Sequence, residues 1–485
     1  IMVTAAGPTL ADGKYVFQIS GPAESEGEFV TGVLVAQGGA ITGGEQDVAS
    51  DDGEGDEVTQ FQQITGGSYT TTASGNSQIN LQIGAYETET LSGTLKSNAE
   101  GFIGGIGGTP GSSTLELQTS TAAPSGGYAI SLYADYAVSA PLWVGGVVNI
   151  DSPGGISGNG TVLDAIGGYA GSTDAPTLAP STVSAPDAYG RVVFQLNPGA
   201  SSPLPVLYLA GYMVDATHIW LSETSNPSES YPEVGIFGGM ALGQGTATGS
   251  FTASSVAGTS YVFGAQGNDL QDALQLAGVL TLNAGGSVSG TLNWNDLSGK
   301  SAQPPLAFTG SYTVDPEGRV TLSNLTDGAT FNYSLHLYLS GSGGGLLLSN
   351  DSDDLFSGEA FERQTGAFTA SSFSGAYGLN ASVFATASNG SSTWGNAVGP
   401  VVATASGGAD TVAGYADTDD SPADFALTGS FVPAANGVFT GTLAGFGPLS
   451  APTANPFTLY LVDGTQGVGI ETDNAQLTLF RVGTQ

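Results

Sequence analysis

Acidic side chains are the residues in this sequence whose spacing first suggests chemistry. Asp51-Asp52-Gly53-Glu54-Gly55-Asp56-Glu57, Asp351-Ser352-Asp353-Asp354 and Asp417-Thr418-Asp419-Asp420 form three clusters. Calcium takes six to eight oxygen ligands, often from alternate residues of a tight loop. Asp52, Glu54 and Asp56 show that alternation, and Asp351, Asp353 and Asp354 form a second weak calcium candidate. None of the clusters completes a known calcium loop, and the simpler reading is a set of solvated hairpin tips. Glycoside hydrolysis needs two facing carboxyls, but among 43 Asp and Glu such pairs are inevitable and carry no information.

Other catalytic constellations fail on composition or spacing. There is no cysteine, which removes thiol chemistry and thiolate metal sites. No Gly-x-Ser-x-Gly elbow occurs. Gly299-Lys300-Ser301 ends like a phosphate loop, but Trp294 stands where the loop's first glycine belongs. His218 and His336 lie in alternating strand patterns and read as surface or rim imidazoles; a shared metal site would need two units to face each other. Trp143, Trp220, Trp294 and Trp394 are the candidates for a glycan platform. Trp220 reads as a packed strand residue, and Trp394, in a Ser/Gly/Asn stretch, is the best candidate for exposure.

The sequence positions these residues on β structure throughout. Runs such as Phe331-Asn332-Tyr333-Ser334-Leu335-His336-Leu337-Tyr338-Leu339 alternate with period two, so one face meets a core and the other solvent. Glycine pairs and Asn-Gly or Asp-Gly turns supply the positive φ of tight hairpins. No amphipathic helix is evident.

The strands recur in a fixed order. Tyr15, Tyr128, Tyr261 and Tyr377 each open an alternating apolar run behind a glycine, about one domain length apart. Each is followed by a second strand (Gly32-Val33-Leu34, Gly146-Val147-Val148, Gly278-Val279-Leu280, Gly399-Pro400-Val401) and a glycine hairpin (Gly38-Gly39, Gly154-Gly155, Gly285-Gly286, Gly407-Gly408). Gly67-Ser68-Tyr69, Gly310-Ser311-Tyr312 and Gly429-Ser430-Phe431 mark a later strand. Gly190-Arg191-Val192 and Gly318-Arg319-Val320 mark a turn into another. Thr248-Gly249-Ser250-Phe251-Thr252-Ala253-Ser254-Ser255 and Thr365-Gly366-Ala367-Phe368-Thr369-Ala370-Ser371-Ser372 are near-identical junctions. The units are placed at 1–120, 121–248, 249–365 and 366–485. The expected fold is all-β: four tandem antiparallel meanders of roughly seven or eight strands, each a closed barrel in preference to a sandwich, because closure removes sticky edges.

This order of motifs resembles a broad group of uncharacterised secreted multi-repeat β-domain proteins of soil acidobacteria. Their units carry Gly-x-Tyr-[Ala/Val]-Phe, an Asn-Ile-Thr-Gly-Gly-x-x-Asp hairpin, Gly-[Thr/Ser]-Tyr, Gly-Arg-[Gly/Val]-Thr-Leu and a closing Gln. Tyr15-Val16-Phe17, Ile41-Thr42-Gly43-Gly44-Glu45-Gln46-Asp47, Gly310-Ser311-Tyr312 and Gly318-Arg319-Val320-Thr321-Leu322 match. The fourth unit lacks the Gly-Arg step. The resemblance implies export and repeat architecture and carries no chemistry across.

Charge bounds the partners. Seven Lys and Arg against 43 Asp and Glu give a net −36, which repels nucleic acid and anionic membrane surfaces. Only 10% of residues are charged, against an ordinary ~25%, so the exterior must be built of Ser, Thr, Asn, Gln and Gly. No apolar run reaches the ~20 residues of a transmembrane helix. Absent cysteine fits bacterial export. The functional expectation is a non-catalytic extracellular structural protein, a surface-layer, fibre or matrix subunit without cofactor, calcium being the exception to test. Tandem copies suit an extended scaffold. Ile1, Met2 and Val3 are apolar and β-prone, and pairing with a neighbour's sheet edge would make them a self-assembly strand. The alternative is a glycan-binding or adhesive cell-surface protein.

Overall fold

The computed structural model describes residues 8–21, 28–51, 57–71, 76–85, 87–105, 113–135, 142–167, 171–174, 178–200, 202, 204–225, 236–268, 273–296, 305–329, 331–351, 354–386, 392–406, 408–418, 421–446, 454–473 and 477–485. The chain forms four closed antiparallel barrels, spanning 13–117, 126–243, 260–362 and 375–484. Each is an eight-stranded meander; the second also carries a short strand, Gly171–Asp174, at the end of its third. Closure joins the first strand to the eighth. Tyr15 lies opposite Leu117, Tyr128 opposite Gly243, Tyr261 opposite Glu362 and Tyr377 opposite Thr484. Among the described residues, each of the eight barrel strands thereby has a neighbour on both sides, and closure removes the sheet edges that would otherwise aggregate.

Three of the four tyrosines that mark the repeat brace this closure from inside. Tyr128 donates to Ala216 O at 2.7 Å and Tyr377 to Gly464 O at 3.1 Å. Tyr15 donates to Asn98 O and Ala11 O. In each case the hydroxyl crosses the barrel mouth to the turn between strands six and seven. The near-identical junctions are capping boxes: Thr252 N takes Ser255 Oγ at 3.0 Å, and Thr369 N takes Ser372 Oγ at 2.9 Å. The first of them opens a four-residue helix, Ala253–Val256, which the strand periodicity does not announce. Phe251 and Val256 pack into the core of the third barrel, so the junction stops its mouth.

The tandem copies are not laid out as an extended scaffold. They close into a ring, the first barrel meeting the second, the second the third, the third the fourth and the fourth the first. One seam is used four times. Its first half is a buried residue on the outer face of a third strand: Asp47 in Ala40–Asp51, Asp164 in Gly155–Gly167, Asn293 in Ser287–Asp296 and Asp417 in Ala409–Thr418. Their register is common, opposite Thr31, Gly145, Ala277 and Val398 of the second strand. The other half comes from the next barrel. It is the first residue of the fifth strand and the last but one of the sixth: Arg191 and Tyr212, Arg319 and Tyr338, Val438 and Tyr460, Asn76 and Thr94.

At the first seam Arg191 holds Asp47 through two bonds, Nε to Oδ2 at 2.6 Å and Nη2 to Oδ1 at 2.7 Å; Tyr212 Oη adds 2.6 Å and Thr224 Oγ1 3.1 Å. At the second, Arg319 Nη1 reaches both oxygens of Asp164 at 3.0 and 3.1 Å, and Tyr338 Oη donates at 2.7 Å. At the third the arginine has become Val438 and the acid Asn293, which accepts Tyr460 Oη at 2.7 Å. At the fourth, Asn76 Nδ2 donates to Asp417 Oδ1 at 3.0 Å. A buried carboxylate without a partner is costly, so acid and arginine are absent together where the knot turns apolar. Asp417, read from sequence as a hairpin tip, is buried in this last seam.

The closing glutamines of the first two barrels clip onto the next through their side chains. Gln118 Nε2 donates to Tyr189 O and Met213 O at 2.7 and 2.8 Å, and Gln244 Nε2 to Glu317 O and Leu339 O at 2.7 and 3.0 Å. Apolar patches fill the tethered seams: Val16 and Val33 against Tyr212, Val214 and Trp220; Trp143 and Val147 against Tyr338 and Leu348; Val262 and Val279 against Tyr460 and Ile470. Backbones approach closely here. A Cβ on Gly238 would lie 1.9 Å from the Phe29 ring of the first barrel.

Arg191→Leu leaves Asp47 buried against neutral donors alone. It is expected to cost about 3 kcal/mol, and the double change with Asp47→Leu to return most of it, read from denaturation followed by tryptophan fluorescence. Equal losses in single and double variants would exclude the coupling. A second expectation concerns pH. Burial, reinforced by the hydrogen bond and charge of Asp187, pushes Glu45 beside this seam up to about 7. Burial also pushes Glu89, inside the first barrel, up to about 7. Both keep a proton in the folded chain that the unfolded chain gives up near 4.5. The folded state therefore binds more protons across that window, and the stability these groups contribute falls as pH rises through it and is gone above it. Thermal midpoints should drop between about pH 5 and about pH 8, and Glu45→Gln should flatten the drop; an unchanged profile in that variant counts against the assignment.

Candidate functional site

A half-open cavity of about 750 Å³ lies where the barrels converge, and all four line it. The walls are the outer faces of the seventh and eighth strands, Glu100–Gly105 and Ser113–Leu117, His218–Glu223 and Ile236–Gly243, Gly344–Ser349 and Leu355–Glu362, Gln466–Glu471 and Leu477–Thr484. Period-two alternation puts these faces outside the barrels, so the same strands serve a barrel core on one side and the ring axis on the other.

The cavity gathers the chain's scarce cations. Of seven Lys and Arg in the sequence, Lys96, Arg363 and Arg481 line it, and His218 joins them. Each of the three that face an acid is tied to it. Arg481 Nη1 donates to Glu359 Oε1 at 2.7 Å, linking the fourth barrel to the third. Its guanidinium lies between the Phe102 and Phe361 rings, 5.9 and 5.8 Å from their centres. Lys96 pairs with Glu100 and sits 5.0 Å above Phe102. His218 Nδ1 lies 3.2 Å from Glu116 Oε2, and Trp220 Nε1 donates to Glu116 Oε1 at 3.1 Å, linking the second barrel to the first. Arg363 instead donates to the main chain, Nε to Leu461 O at 3.2 Å, and stacks on Phe368.

The electrostatics follow. Burial alone would raise the Glu116 carboxyl. The His218 charge and hydrogen bond, with donors Trp220 and Thr114, more than reverse that and bring it down to about 2. Burial opposes the His218 charge, but Glu116 outweighs it and holds the imidazole above its ordinary value. An acid held ionised this firmly is the reverse of a proton donor, which needs a raised carboxyl. The arrangement can fix the four barrels about their axis and offer paired charges to a polar guest.

The residues singled out from sequence scatter. Ile1, Met2 and Val3 lie outside the described residues, as do Asp52, Glu54, Asp56 and Asp353. Asp351 and Asp354 meet at Ser349, whose Oγ accepts Asp351 N at 3.2 Å and donates to Asp354 O at 2.5 Å. Among the described residues no group of three or more His, Asp or Glu is arranged to hold a metal ion. Trp394 stands on a strand, its backbone opposite Phe384, and its side chain lies outside the description. Trp143 and Trp220 are buried in seams and Trp294 inside the third barrel, 5.9 Å from Phe331. His336 sits on a sixth strand and His218 on a seventh, so they are not equivalent; His336 is buried, which lowers its pKa. Sequence reasoning missed Glu116, Glu359 and Arg481. Their one signal was scarcity, cations being rare enough here for each to invite a question.

No family model matches this sequence, and no curated protein does. Among solved structures, similarity is found to a protein of unknown function from the DUF3598 family of Nostoc punctiforme, at 11% identity and TM-score 0.16 over 47% of this chain and 96% of that one. The copper transporter OprC aligns at 9% identity and TM-score 0.12 over 99% of this chain and 80% of that one. Likenesses of this size carry no argument about function. Among the described residues no helix is long and apolar enough to cross a membrane.

The two histidines make the axial pair measurable. In a pH titration by NMR, His218 should titrate above the free imidazole value and His336 below it, and Glu116→Gln should lower His218 alone. Two histidines titrating together near the free value would refute the pairing.

Proposed function

We propose that the protein is a non-catalytic structural subunit of an extracellular or cell-surface assembly, with one ring of four barrels as its building block. The observation that carries this reading is the repeated seam. The residues that recur from unit to unit, the third-strand acid, the residue after the turn glycine, the sixth-strand tyrosine and the closing glutamine, serve barrel-to-barrel contact. The axial charges support it too, since three cation–acid pairs neutralise one another and two of them bridge separate barrels. A surface rich in Ser, Thr and Gly with net −36 suits an inert exterior. Successive barrels meet through unlike faces, and an unlike-face contact repeated between chains builds a filament.

Light scattering and negative-stain imaging across a concentration range test the proposal. Assemblies larger than one chain are expected to grow with concentration, and a clean monomer at the highest soluble concentration would overturn it. The alternative of glycan binding rests on Trp394, because the rings of Trp143, Trp220 and Trp294 are buried. A glycan array on the parent and on Trp394→Ala separates the two readings.

A further inference from the structure

We infer that the seam between the fourth and first barrels is exchangeable, and that in the assembled protein the fourth barrel of one copy docks on the first barrel of the next. This rests on the structural-subunit reading and names the surface through which it would act.

The seam is heterologous: the third-strand face of one barrel meets the fifth and sixth strands of another, and neither face matches itself. Three of the four seams join consecutive barrels tethered by chain, through 118–125, 244–259 and 363–374, whereas the fourth joins barrels that are not consecutive and have no linker between them. Its chemistry also differs from that of the others. An amide donates to Asp417 where guanidinium groups hold Asp47 and Asp164, and Thr94 stands where the other barrels place a buried tyrosine. The closing Gln485 reaches Thr94 Oγ1 at 3.2 Å, whereas Gln118 and Gln244 each satisfy two main-chain carbonyls. Among the described residues the three tethered seams each bury an aliphatic and aromatic patch, while the fourth sets Phe102 and Lys96 against Gly378 and Gly483. Two differences therefore set this seam apart from the others: it has no linker, and no guanidinium or tyrosine knots it.

A heterologous interface closes into a ring only when its rotation closes. A small offset along the axis turns the ring into a shallow helix, and the fourth barrel then meets the first barrel of a second copy with the same partners, Asp417 on Asn76 and Gln485 on Thr94. Each hydrogen bond broken within the chain re-forms between chains, so concentration decides which form is populated.

The chain has no cysteine, so Asn76→Cys with Asp417→Cys introduces the only thiol pair; Thr94→Cys with Gln485→Cys is a second pair should the first disturb folding. Assembled protein is cross-linked by oxidation or a short bis-maleimide and run on a non-reducing gel. A ladder of multimers is expected from the assembled fraction and intrachain links alone from the monomer. Rings locked before concentration should lose most of their assembly. Assembled protein holding only intrachain links, or locked rings that assemble like the parent, would overturn the exchange while leaving the structural reading in place. A parent that never assembles would overturn both.

Discussion

A carboxylate on the outside of a barrel, buried against the next barrel, is the constraint from which the rest of this structure follows. Burying Asp47 and Asp164 is costly unless a cation and further donors meet them, and Arg191 with Tyr212 and Arg319 with Tyr338 do so. The geometry that brings guanidinium, phenol and carboxylate together admits little freedom, because each partner is planar or directional. It therefore restricts the angle between barrels at the first two seams, and the same strand positions meet at the other two with different side chains. The third seam obeys the same logic in neutral form, as Val438 and Asn293 replace arginine and acid together while Tyr460 keeps its bond.

The distribution of charge reads differently once the ring is drawn. A chain at net −36 with seven Lys and Arg cannot spread its cations as a solubilising surface. Arg191 and Arg319 occupy seams, and Lys96, Arg363 and Arg481 line the axis. The acids form the exterior and repel one another there, while the few attractive pairs sit at the joints, where desolvation strengthens them. Clustered aromatic rings on the axis, Phe102 and Phe361 about Arg481, serve the same end by giving a half-buried cation a favourable surface.

Much of each barrel was legible in the residues. Period-two runs located the strands, glycine turns located the hairpins, and the repeated tyrosine marked the strand on which the barrel closes. The Gly-Arg step was legible as a turn, since Gly190 and Gly318 adopt φ of 81° and 96°, yet the role of the arginine was not. Its partner Asp47 lies 144 residues away in sequence, in a hairpin motif that reads as local structure. Asp417 looked like part of a solvated tip for the same reason: a run of acids resembles a surface until the surface is known to face another barrel. Trp220 was read correctly as packed, but what packs it is the neighbouring barrel and Glu116, where a barrel interior was expected.

By itself, then, the sequence determined a fourfold all-β repeat of meanders. Strand pairing in a meander joins neighbours along the chain, and the signals for it, alternation and turn glycines, are local. Only the tertiary structure decided that each meander closes on itself, that four barrels form a ring in place of a string, and that two acid–cation pairs bridge separate barrels on its axis. Those outcomes depend on rotations between bodies whose meeting residues lie more than a hundred positions apart, and a small angle repeated four times separates a closed ring from an open helix without altering any local pattern.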